Sequence, residues 1–130
     1  MRPSDGRMAL RRWTAVAVWA AAIFVQSALP SVVDTSAGVG MDKIVHMAVY
    51  ALLAVLLCRA LSLSAMARRT PLAIAAAASL IAALYGVSDE LHQALVPARC
   101  ADVADGIADL IGSVLGATLW AARRRTSQKI

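Results

Sequence analysis

Residues 13–29 carry no charged side chain, and three more apolar runs follow them. A helix that crosses a bilayer needs about 20 mostly apolar residues, with roughly 17 as the lower limit. The first run has 17. The second, 44–63, has 20, with His46 near its start and Arg59 near its end. The third, 72–88, has 17. The purely apolar part of the fourth, 110–122, is only 13 residues long. To span, that helix must start near Val103, so it takes Asp105 and Asp109 into the membrane. Inside lipid every backbone N–H and C=O must be bonded within the protein, which runs of this length satisfy as helices. The expected fold is all-α: one domain, 1–130, a four-helix transmembrane bundle with spans at about 13–29, 44–63, 72–88 extending to 96, and 103–122. Its partner is the lipid bilayer.

Composition agrees. Apolar types make up 60% of the 130 residues and charged types 16%. Typical soluble domains have roughly 45–50% and 25%. The connections fit as well. Pro30, Gly38 and Gly40 mark a loop between the first two runs. Pro71 suits the first turn of a helix. Pro97 pushes its predecessor out of helical geometry and ends the extended third helix. A cleaved signal peptide is the competing reading of the first run. Its 17 residues exceed the usual 7–15, and no small-x-small cleavage site stands before Pro30.

The basic residues set the orientation. With both termini in the cytoplasm, 11 of the 13 Lys and Arg lie inside, leaving only Lys43 and Arg99 at the outer side. The expected location is therefore a bacterial cytoplasmic membrane, crossed several times. Nucleic-acid binding is a poor reading of the net charge of +5. The basic groups sit at the ends of apolar runs and build no continuous basic face. The two cysteines, Cys58 and Cys100, have no zinc-type spacing and fall near opposite faces.

The acids mirror the bases. All but Asp5 fall in or near the outer half. Asp42, His46 and Tyr50 share one stripe of the second helix by i, i+4 spacing. Tyr85, Asp89, His92 and Gln93 share one in the third. Glu90 stands about 100° round from Asp89 and is expected to meet a different neighbour. Asp102, Asp105, Asp109, Gly112 and Gly116 share a face of the fourth. Charges at a helix end are ordinarily solvated, but Asp109 sits about two turns inside the hydrocarbon. A charge there costs at least about 2.5–3.5 kcal/mol and calls for a partner. His46, His92, Lys43 and Arg99 are the candidates. The Gly112-x-x-x-Gly116 pair allows close helix approach and should turn that face inward, against the second or third helix.

Two stretches, "DKIVHMAVYALLAVLLCRAL" and "YGVSDELHQALVPARCADVADGIADLIGSVLGA", resemble the VanZ-like family of small bacterial membrane proteins. The pattern D-K-x-x-H falls on Asp42, Lys43 and His46. D-E-x-H-Q-x-x-x-P-x-R falls on Asp89, Glu90, His92, Gln93, Pro97 and Arg99. Asp105, Asp109 and Gly112 follow in the fourth helix. Cys100 stands where such sequences often have a small Ser or Ala. The resemblance implies an integral membrane protein, and its founding member is linked to low-level resistance to the glycopeptide teicoplanin. It supplies no reaction.

Three function classes follow. In the first, an enzyme acts on a lipid or cell-envelope precursor at the outer face. Asp42, His46, Asp89, Glu90, His92, Asp105 and Asp109 are its candidate acid, base or metal groups. Lys43, Gln93 and Arg99 are its candidate headgroup ligands. The carboxylates and histidines also suit a divalent metal as cofactor. In the second, the same cluster binds a headgroup without turnover, or only locks the bundle. In the third, buried acids mark a transport path, which four helices would complete by forming an oligomer.

Overall fold

The computed structural model describes residues 3–29, 40–64, 66–97 and 101–127. It contains four helices: α1 (Pro3–Ala28), α2 (Met41–Leu61), α3 (Pro71–Gln93) and α4 (Val103–Ser127). Each is long and apolar enough to cross a membrane. The helices overrun the apolar stretches at both ends of the chain. α1 begins ten residues before Trp13 and α4 runs on past Ala122. A helix needs only its own backbone bonds, so its polar ends continue beyond what lipid would tolerate. α3 stops at Gln93, three residues short of the expected extension. Leu95 and Val96 instead bond back to the carbonyls of His92 and Gln93, a tight turn that precedes Pro97.

Local sequence explains where the helices start. Thr70 caps α3, accepting the Ala73 N–H at 3.2 Å, with Pro71 in the first turn. Gly40, at φ 124°, opens α2 in a backbone conformation that side chains disfavour. Asp102 precedes α4, and its carboxylate accepts the Ala104 N–H at 2.8 Å.

The core is narrow and built on small residues. α2 lies centrally, with Tyr50, Leu53, Ala54, Leu57 and Cys58 buried. Ala75, Ala78 and Ala82 of α3 and Ala117 and Ala121 of α4 meet it. As the spacing predicts, Gly112 and Gly116 face inward, onto α2. A Cβ at either would collide with the backbone, at Met47 and Ala51 respectively. Side chains at the outside are large and apolar, including Leu80, Leu84, Leu91, Leu115 and Leu119. Lipid tails are as apolar as these side chains, so such a surface is at home in a bilayer.

α1 lies against α2 and α3 and is mostly exposed to the surroundings. Side-chain bonds to helix carbonyls hold it. Trp19 Nε1 donates to Val49 at 3.1 Å, and Tyr85 Oη donates to Ala20 at 2.7 Å. Arg12 donates to the Arg59 carbonyl at 2.7 Å. Cys58 is buried with a free thiol. Cys100 and Arg99 lie outside the described residues.

Candidate functional site

The first turns of α2 and α4 and the last turn of α3 meet at one end of the bundle. That end collects every ion pair found among the described residues. Its polar groups form two layers with different character.

The outer layer centres on Lys43. Its Nζ lies 2.7 Å from Asp105, 3.0 Å from Asp102 and 3.4 Å from Asp42. One ammonium with three donors faces three carboxylates, so its hydrogen-bonding capacity is used. Asp102 and Asp42 also sit at helix N-termini, where the backbone dipoles favour negative charge. The Asp102 carboxyl is held below its ordinary pKa, first by the Ala104 N–H and then by Lys43. The Asp102 backbone N–H in turn donates to Glu90 at 3.0 Å, tying the start of α4 to the end of α3.

The inner layer lies one turn deeper. His46 Nδ1 and Asp109 Oδ1 are 2.9 Å apart, so the partner for the buried acid is His46. Asp109 is 1% exposed. Its second oxygen, Oδ2, has no hydrogen-bond partner among the described residues. The same holds for Glu90 Oε1, Tyr50 Oη and His92 Nε2. His46, Glu90 and Asp109 come together from three helices, with one ligating atom of each within 4.8 Å of the others. α3 makes room by having no side chain at Gly86. A methyl there would stand 3.0 Å from Asp109 Oδ2 and 3.3 Å from Tyr50 Cε1. A cavity of about 40 Å³ adjoins His46, lined also by Ile23, Val49, Tyr50 and Asp89.

Two of the expected neighbours exchange places. Glu90, expected to face elsewhere, joins His46 and Asp109. His92, a candidate partner for Asp109, instead stacks its ring on Phe24 of α1, with centroids 4.6 Å apart. Asp89 and Gln93 stay buried and bond to each other at 3.0 Å. Asp89 faces the cavity shared with His46. Tyr50, read only as a stripe marker, proves to be a buried member of the site, 1% exposed.

Fold and site together define a polytopic helical bundle with a buried polar centre at one end. The chain belongs to the VanZ/LLP1 family, whose family model matches residues 7–124. No curated protein and no solved structure matches it.

Proposed function

We propose that this VanZ-family chain sits in the bacterial cytoplasmic membrane with both termini inside. There it engages the headgroup of a lipid or cell-envelope precursor at the outer face. The carrying observation is that Asp109 Oδ2, though buried, has no hydrogen-bond partner among the described residues. An unsatisfied buried polar atom costs about 1–3 kcal/mol, more when charged. A cluster selected only to lock helices would be satisfied throughout, as the Lys43 layer is. The inner layer instead holds several buried atoms with no partner among the described residues, around a His–Asp pair, and that cost is repaid when a ligand supplies the missing bonds. His46, oriented by Asp109, has the donor and acceptor chemistry of a general base or acid. Glu90 lies within reach of the same point.

The lock reading keeps the outer layer, where Lys43 joins α2 to α4. The family resemblance extends the proposal to glycopeptides: a protein that holds or alters envelope precursors changes how teicoplanin meets them.

The test separates site from lock. His46→Ala and Asp109→Asn are expressed in a host lacking its own copy, and glycopeptide susceptibility and thermal unfolding in detergent are measured. Both variants are expected to lose the wild-type phenotype with stability lowered by less than about 1–2 kcal/mol. Removing one partner of a purely structural buried pair costs about 3–5 kcal/mol. A loss of that size, or a retained phenotype in both variants, overturns the reading.

A further inference from the structure

We infer that His46, Glu90 and Asp109 form a divalent-cation site. The inference rests on reading the inner layer as a site. Three observations carry it. The three donors come from α2, α3 and α4, so no single helix surface places them together by chance of sequence. Asp109 is 1% exposed, and its Oδ2 and Glu90 Oε1 are both buried without a partner among the described residues. Gly86 leaves open the space against Asp109 Oδ2 that any side chain would fill.

The geometry is near what a cation requires. At the roughly 2.0–2.2 Å ligand distances of zinc, tetrahedral donors stand about 3.4 Å apart. The present spread, up to 4.8 Å, closes by about 1.4 Å of side-chain movement, which Glu90 can supply through its own rotors. The hydrogen bond between His46 Nδ1 and Asp109 Oδ1 places a proton between two of the donors. The cation takes over that role, and its entry releases protons, as binding to imidazole and carboxylate ligands does.

One imidazole and two carboxylates favour a first-row ion such as Zn²⁺ or Mn²⁺ over Ca²⁺, which takes six to eight oxygen ligands. Three protein ligands leave at least one coordination position open. That position suits the phosphate of a headgroup or a water, so the site would bind oxyanions through the metal. Lys43, held by its own carboxylates one turn away, stays out of the coordination sphere.

The experiment uses the full chain in detergent, stripped with chelator and desalted. Mn²⁺ is added alone and followed by loss of the free-ion EPR signal. Zn²⁺ is added alone and followed by calorimetry in two buffers of different ionisation enthalpy. One ion per chain, with proton release, is expected. Glu90→Gln and Asp109→Asn should weaken binding at least ~100-fold, the scale of a disrupted metal site. Asp102→Asn, in the outer layer, should change it less than about threefold. Circular dichroism confirms folding; where Asp109→Asn unfolds, Glu90→Gln decides. No binding up to millimolar metal, or equal binding by Glu90→Gln and wild type, overturns the inference. Absent binding alongside a lost phenotype in Asp109→Asn sinks the metal and leaves the headgroup reading standing. Metal binding with the phenotype retained in both His46→Ala and Asp109→Asn sinks the headgroup reading alone.

Discussion

Asp105 and Asp109 are one helical turn apart on the same face of α4, yet their surroundings differ in kind. Asp105, its side chain 16% exposed, accepts from Lys43 at 2.7 Å and lies 3.8 Å from His46 Nε2. Asp109 is buried, with one oxygen on His46 and the other unpartnered among the described residues. A rise of about 6 Å over four residues separates a partly exposed ion-pair layer from a buried one holding atoms without a partner among the described residues. The outer layer has a pH signature of its own. Because Asp102 is held below its ordinary pKa when folded, its contribution to stability is fully present above that ordinary value. It is lost as pH falls through the lowered folded value. Acid should therefore weaken the cap of α4, and Asp102→Asn should remove that part of the acid sensitivity. Thermal midpoints in detergent at neutral and strongly acidic pH would show a smaller difference for the variant than for wild type; equal differences would contradict the assignment.

Among the elements, α4 is the span least legible in the sequence, yet it packs along both α2 and α3. Its apolar run is too short alone, and only the need to cross the membrane draws Asp105 and Asp109 into it. Once that is accepted, the Gly112 face follows, and so does a prediction. Gly112→Leu drives a side chain into the α2 backbone at Met47, where only the main chain itself could move. It should destabilise the bundle by about 1–3 kcal/mol or more, read as a lowered unfolding midpoint. Leu110→Ala, on the exposed face, should cost much less. Spacing revealed the faces of each helix but not which neighbour each face meets. α3 has partners on two sides, so Glu90 and Asp89, about 100° apart, are both inward: one toward α4, the other toward the cavity with α1 and α2. α1 hid its role for a related reason. In a bilayer, lipid-facing and helix-facing residues are equally apolar, so nothing in the sequence marks Phe24 as the ring stacked on His92.

For the whole molecule, the arrangement of charge and the arrangement of site are one fact. All of the His46, Glu90 and Asp109 chemistry lies at the end where α2 and α4 begin. Arg11, Arg12 and Arg59 gather at the other, around a cavity of about 180 Å³. Short arginine-rich segments are retained in the cytoplasm during insertion. The site end should therefore face outward. Cysteine labelling checks this on intact cells. With Cys58 and Cys100 replaced by serine, Met41→Cys lies at the exposed start of α2 and Ala67→Cys in the exposed turn after it. A membrane-impermeant maleimide should label Met41→Cys directly and Ala67→Cys only after permeabilisation. The reverse pattern would place the polar centre on the cytoplasmic side. Its ligand would then be sought among inner-leaflet headgroups, and the link to an extracellular glycopeptide would fall with the orientation.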